Sequence, residues 1–229
     1  MDKKPGGRAR MNEVRVRLIF HDSLGTRERL AALSGARAFA KFGVTCDCAG
    51  ACDRKALRHV KAGASLGRIV RAENPVVRTE DLRYEPIWEF MLCPKTIYGM
   101  GVTPHPLRNG DAMDQVPEGA ATGELPHTMG VGLIGAGGVL SVQRMLETKG
   151  ELGEKAISAA VRHELGHVFL KGEKGRDHGS SHCTDEKCIM QANENYADFL
   201  RRFVEPALDF CRGCQGRIGA AVSRIRYGF

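Results

Sequence analysis

Val161-Arg162-His163-Glu164-Leu165-Gly166-His167-Val168-Phe169 carries two histidines four residues apart, with a glutamate directly after the first. The run sits in an apolar stripe: Ala156, Ile157, Ala160, Val161, Leu165, Val168 and Phe169 recur at spacings of three and four, which predicts an amphipathic helix. Residues four apart on such a helix lie one turn above each other on one face. His163 and His167 can therefore direct two imidazole nitrogens at one zinc ion, while Glu164, one step round, reaches a water held by that ion. The chemistry predicted is metal-assisted hydrolysis. The ion lowers the pKa of its water towards about 7 and polarises a carbonyl, and the glutamate takes and returns the proton. The bland reading of so short a pattern is two histidines on an ordinary helix surface.

Further along stand His182-Cys183-Thr184-Asp185-Glu186-Lys187-Cys188-Ile189-Met190 and then Cys211-Arg212-Gly213-Cys214. With HExxH, then His-Cys, four residues, Cys, one residue and Met, and a distal CxxC, the chain resembles the archaemetzincins, zinc-dependent peptidases of the metzincin clan. The resemblance is specific over residues 155–215 and general elsewhere. It implies that His163, His167 and His182 ligate a catalytic zinc, with Glu164 as the base. It further implies that Cys183, Cys188, Cys211 and Cys214 hold a second, structural zinc, and that Met190 forms the turn beneath the catalytic metal.

One departure falls on a ligand. The family pattern HExxHxxGxxH has its glycine and third histidine where this chain has Leu170 and Glu173. The glycine of that pattern ends the helix and turns the chain back. Here Lys171 to Ser181 intervenes and reads as an insertion, with Gly172 or Gly175 available for the turn. Four residues stay open as the third ligand: His182, His178, Glu173 and Glu194. Glu194 enters because Asn193-Glu194-Asn195-Tyr196-Ala197-Asp198 is similar to the NExxxD signature of the gluzincins, a reading that leaves the four spaced cysteines unexplained.

The 229 residues, 42% of them hydrophobic, are enough for one domain with a real core. No apolar run nears the roughly eighteen residues of a membrane span. Residues 1–12 are basic without an apolar segment after them, which predicts a flexible tail and no export signal. A single metallopeptidase domain is expected over 13–229, with a sheet-bearing part at 13–152 and the active-site helix and zinc-cysteine part at 153–229. The net charge of +7 comes from dispersed Lys and Arg, with 6% aromatics and no recognition motif, so solvated basic surface is expected rather than nucleic-acid binding. Eight cysteines without an export signal point to metal ligation and free thiols in a reducing, cytoplasmic setting. Cys46, Cys48 and Cys52 form a cluster whose spacing matches no known site; with Cys93 they read as buried or partly buried thiols.

In chain order, Val14 to Phe20 alternates as a strand. Thr26 is a candidate cap for a helix through Leu30, Leu33, Ala36 and Ala40, ended by Gly43. Val44 to Cys46 begins a second strand, parallel to the first. Residues 53–72 are expected to form a helix broken at Gly63 and Gly67, Trp88 to Cys93 a strand, and Met100 to His127 a long surface loop. Gly130-Val131-Gly132-Leu133-Ile134-Gly135 satisfies GxGxxG, but no strand leads in and no helix opens, so nucleotide binding is rejected in favour of an edge strand beside the cleft. In metzincins such a strand pairs with extended substrate, as an unpaired edge can. Tyr196 to Phe210 reads as a helix interrupted at Pro206, and Arg217 to Arg226 as a terminal helix.

The expected fold is α/β of the metzincin-type zincin class: a mostly parallel twisted sheet with helices, then a helical C-terminal part clipped by zinc. The expected function is a monomeric, two-zinc metallopeptidase hydrolysing peptide bonds in a peptide or protein substrate. The alternatives are a catalytically silent zinc-binding or interaction protein that keeps the fold, and a gluzincin-like peptidase using Glu194.

Overall fold

The structure, a computed structural model, describes residues 12–20, 23–48, 64–65, 97–104, 107–108, 127–128, 130–133, 137–170, 182–193 and 195–227. Strand β1 (Val14–Phe20) buries Val14, Val16 and Leu18 on one face and then Ile19 and Phe20 on both. Its other face carries Arg15 and Arg17, which reach across to Asp47 of β2 (Val44–Cys48) at 3.3 and 3.1 Å. The two strands are parallel, in the register Val14 opposite Val44.

Between them runs helix α1 (Thr26–Arg37), continued by a 3-10 turn over Ala38–Phe42. Gly43 stops it as expected, at φ 80°, a left-handed conformation that glycine adopts without strain. The start differs from expectation. Gly25 is the capping residue and Thr26 the first helical one, because the Gly25 carbonyl accepts from the Arg29 N–H and no side chain caps.

Strand β4 (Ile97–Thr103) lies on the other side of β1, parallel to it, and occupies residues expected to begin a surface loop. The physical reason is a hidden period of two. Tyr98, Met100 and Val102 are buried side chains, while Gly99 and Gly101 fill the alternate positions and read as loop signals. Ala64–Ser65 (β3), between the helix breaks expected at Gly63 and Gly67, is extended and pairs with β5 (Leu107–Arg108), which pairs in turn with β6 (His127–Thr128). The rest of 53–72, the strand expected at Trp88 to Cys93, and most of the loop towards His127 lie outside the described residues.

Two more strands complete the main sheet. β8 (Gly137–Ser141) joins β4 in parallel, and β7 (Gly130–Leu133) joins β8 antiparallel, giving the order β2-β1-β4-β8-β7 among the described residues. The GxGxxG segment thus begins as an edge strand. Helix α2 (Gln143–Glu147) leads to the 19-residue α3 (Glu151–Phe169), whose first turn carries Glu151 and Glu154 at the end where the helix dipole favours acids.

α3 packs against α1, β7 and β8. Phe39 gathers Phe169 and Phe210 at ring-centroid distances of 5.5 and 5.4 Å, joining the N-terminal half, the end of α3 and the C-terminal segment in one core. Past Met190 the chain forms α4 (Tyr196–Phe199), capped by the Asn195 side chain, and widens into a π-helix over Leu200–Val204. Pro206 and Ala207, the latter at φ 53°, end that run, and α5 (Arg212–Tyr227) starts at the CxxC itself, earlier than expected. No helix among the described residues is long and apolar enough to cross a membrane.

Candidate metal centre

The second half of α3 is buried almost all round: Ala159, Ala160, Val161, His163, Glu164, Leu165, Gly166, His167, Val168 and Phe169 are all withdrawn from solvent. A helix with this pattern belongs to a core, so polar groups on it must have partners. His163 and His167 lie one turn apart with their Nε2 atoms 3.0 Å from each other. The half-buried His182 joins them across the cluster, its ring 5.4 Å from that of His163 and 4.8 Å from that of His167. One ligand atom from each histidine falls within 4.8 Å of the others.

The hydrogen bonds orient this set. His163 Nδ1 donates to the Ile189 carbonyl at 2.7 Å, which fixes the proton on Nδ1 and leaves Nε2 as a lone pair facing its neighbours. Burial pushes the His163 imidazolium pKa down to about 4, against the partial opposition of the Ile189 carbonyl. His167 is pushed down still further, by burial first and by the two neighbouring histidines next, and His182 by burial. Three neutral imidazoles converging on one point are the donor set a borderline cation such as zinc takes. Glu164 is buried directly beside this set on the same helix.

The four expected cysteines also converge. Cys183, Cys188, Cys211 and Cys214 bring their sulfurs within 4.8 Å of one another, with Cys183 and Cys211 at 3.7 Å and no disulfide among them. Backbone N–H groups point at the sulfurs: Asp185 at Cys183 (3.4 Å), Cys211 and Met190 at Cys188 (3.3 and 3.5 Å), and Cys214 at Cys211 (3.5 Å). Arg217 Nη2 donates to Cys214 at 3.2 Å. Such donors favour thiolate. The Cys188 thiol is accordingly pulled down to about 5, chiefly by the Cys214 thiol donating to it, while Cys214 keeps its proton. Four sulfurs so held, at least one of them readily ionised, fit a tetrahedral zinc.

The two clusters share a backbone frame. His182 directly precedes Cys183, whose N–H donates to the Met190 carbonyl at 2.7 Å. Met190 is buried against Gly166, between the two α3 histidines.

Of the other residues singled out, Glu173, His178, Glu194, Cys52 and Cys93 lie outside the described residues. Cys46 is half-buried on β2 as expected, donates to the Ala36 carbonyl at 3.1 Å, and has its thiol pushed up to about 11 by burial; Cys48, two residues on at the strand's end, is exposed, against the partial burial expected of it. Neither belongs to a metal-ligating cluster among the described residues. Sequence reasoning missed Gly166 as a packing position, the Ile189 carbonyl, and Arg162 and Asp209. A main-chain carbonyl leaves no sequence signal, but a glycine inside an otherwise strong helical pattern does.

No protein-family model matches the chain. Archaemetzincin from Methanopyrus kandleri is 32% identical to it over 76 residues, which are 33% of this chain and 36% of that protein, so the matched stretch spans about a third of the relative. The crystal structure of that archaemetzincin superposes with a TM-score of 0.57 at 16% identity, covering 93% of this chain and 97% of the other. The zinc-dependent peptidase from Methanocorpusculum labreanum superposes with a TM-score of 0.52 at 15% identity, covering 89% of this chain and 99% of its own. These superpositions are a likeness of fold, and the segment match adds a likeness of sequence. The chain, a mixed α/β protein with four parallel strands among the described residues and an HExxH helix, is similar to archaemetzincin in fold and, over that 76-residue stretch, in sequence.

Proposed function

We propose that this chain is a zinc-dependent metallopeptidase that hydrolyses peptide bonds in a peptide or protein substrate. The observation that carries the reading is the convergence of three neutral imidazoles, from His163, His167 and His182, beside the buried Glu164. His163, His167 and His182 would hold the catalytic ion; among the four candidates for the third ligand, the proximity of the His182 ring supports His182. When bound, the ion supplies a Lewis acid and a water acidified to near-neutral pH. Glu164 would act as the general base and acid, taking a proton from the attacking water and returning it to the leaving amine. The Ile189 carbonyl holds His163 in the tautomer that leaves Nε2 unprotonated and able to ligate. Cys183, Cys188, Cys211 and Cys214 would hold a second, structural zinc that clips the C-terminal part to α3, within one domain spanning 13–229.

Substrate would lie along β7. It is an edge strand of the main sheet among the described residues and packs beside α3, so an extended peptide can pair with its backbone. The competing reading is a silent zinc-binding protein with this fold; the glutamate directly after the first histidine, buried beside the imidazoles, favours hydrolysis over it.

The deciding experiment is Glu164→Gln. Peptide hydrolysis should fall by at least ~10²-fold, the usual contribution of a general base, with two zinc ions per chain retained. Wild-type chain that carries both zincs yet cleaves no peptide in a broad library selects the silent reading. His182→Ala should empty the histidine site only; retention of that zinc would return the ligand to His178, Glu173 or Glu194.

A further inference from the structure

Arg162, immediately before His163, is not part of the metal-binding pattern and has no place in the hydrolysis proposed above. Its guanidinium is mostly buried, with the side chain 22% exposed, and its Nε is buried without a hydrogen-bond partner among the described residues. An orphaned buried donor is costly. An apolar residue would fill the position without that cost, so what the guanidinium does at its other end matters.

That end closes a ring. Arg162 Nη1 donates to the Leu208 carbonyl at 3.2 Å and lies 3.8 Å from the Asp209 carboxylate, which Lys41 also grips at 2.6 Å. The Asp209 main-chain carbonyl accepts from the Ile189 N–H at 3.0 Å. The Ile189 carbonyl in turn accepts from His163 Nδ1 at 2.7 Å. Two adjacent residues of α3 therefore hold the two ends of one hydrogen-bonded path, Arg162 to 208–209 to Ile189 to His163. The path passes through Ile189, which lies between Cys188 and Met190, and through Asp209, two residues before Cys211.

We infer that Arg162 is a positioning residue: by clamping the 208–209 segment it fixes the peptide of Ile189, and so sets the orientation and tautomer of the His163 imidazole as a metal ligand. The inference rests on the metal-site reading above. Partners that orient a ligating histidine typically contribute 10- to 100-fold to metal affinity. Here the orienting group is a main-chain carbonyl that cannot be mutated directly, and Arg162 is the side chain that holds it in place. Lys41, with its ammonium over the rings of Phe42 and Phe210, braces the same carboxylate from the N-terminal half.

The test compares wild type with Arg162→Met in the intact, zinc-loaded chain. Zinc affinity of each site is read by competition with a chromophoric chelator. Cobalt substitution separates the sites, because sulfur ligands give an intense charge-transfer band and the histidine site does not. Arg162→Met should weaken the histidine site by about tenfold or more and leave the cysteine band unchanged. The His163 Nδ1 proton, observed in ¹⁵N-histidine spectra, should exchange with solvent faster than in wild type. A variant that merely melts at a lower temperature, with histidine-site affinity and ring-proton exchange unchanged, overturns the inference.

If Arg162→Met does not fold, wild type alone decides. The Ile189 N–H and His163 Nδ1 proton should then exchange through one shared opening, at matching protection; a freely exchanging ring proton in folded, loaded protein overturns the inference. Should wild type bind no metal at the histidines while the cysteines load normally, the metal-site reading falls and this inference with it. Normal histidine binding in wild type with no effect of Arg162→Met removes this inference alone.

Discussion

Gly166 lies against Met190 so closely that a Cβ at position 166 would overlap the Met190 sulfur and sit 3.0 Å from its Cε and 3.1 Å from Phe210 Cε1. Gly166 stands between the two histidines of α3, and Met190 ends the turn that carries the Ile189 carbonyl to His163. The missing side chain is what lets the turn lie directly on the helix. Met190 and Phe210 are both buried, so neither can swing away into solvent.

Gly166→Ala should therefore cost stability, by about 1–3 kcal/mol for an overpacked core, although alanine is the better helix former. It should also lower zinc occupancy at the histidines, because Met190 can move only with its neighbour Ile189. Met190→Leu, close in volume, should cost under about 1.5 kcal/mol. Urea denaturation and a zinc count on each variant check both statements. A Gly166→Ala protein as stable as wild type, with full zinc, would mean that the turn is not held against the helix here.

Two further glycines, Gly35 and Gly216, separate contact from conformation. At Gly35 of α1 a Cβ would overlap the Ser158 carbonyl oxygen and lie 3.0 Å from Val161 Cβ, because this is where α1 and α3 cross. The obstacle is helix backbone, which cannot yield locally. Gly216 of α5 is exposed and has nothing within 4 Å of its Cβ position. Gly35→Ala is expected to destabilise by about 1–3 kcal/mol. Gly216→Ala is expected to stabilise by roughly 0.5–1 kcal/mol, through helix propensity alone. Thermal midpoints of the two variants, moving in opposite directions, check the pair.

Glycines also mark the limit of what was legible in the sequence. β1, α1, β2 and α3 follow from periodicity, since Val14, Val16 and Leu18 alternate and Ala156 to Phe169 repeat every three to four residues. The pairing of His163 with His167 follows from residue type and spacing, whereas His182 and the four cysteines were singled out by the resemblance to the archaemetzincins, with His178, Glu173 and Glu194 still open beside His182. β4 was hidden because Gly99 and Gly101 take the places where a polar residue would mark alternation, and burial of Tyr98, Met100 and Val102 is set by neighbouring strands. The early start of α5 was hidden for a similar reason: Gly213 and Gly216 carry no apolar signal, and the helix begins where Cys214 is drawn into the sulfur cluster. The path from Arg162 through Leu208, Asp209 and Ile189 to His163 runs mostly through main-chain atoms. Any sequence of suitable shape could supply them, so no residue type announces it.

The last expectation concerns pH, in chain that carries zinc at the cysteines and none at the histidines. In the folded protein burial pushes the His163 pKa down to about 4, and His167 and His182 are depressed as well. In the unfolded chain each histidine takes its proton near the ordinary value of about 6.5. Between those limits the unfolded state binds more protons than the folded one, so stability rises with pH. The contribution is complete above about pH 6.5 and is lost as pH falls towards about 4, with roughly 3 kcal/mol at stake for His163 alone. Thermal midpoints should be flat from pH 8 to about 7 and should then fall steadily. His163→Gln, which keeps a side-chain donor for the Ile189 carbonyl without a titrating group in this range, should flatten part of that fall. Zinc at the histidines should steepen it, because protons compete with the ion for the same nitrogens and the loaded state has more to lose. A zinc-free histidine site whose stability stays level between pH 7 and 5 would show that these imidazoles are hydrated rather than buried, and would remove the electrostatic basis for their convergence on a metal.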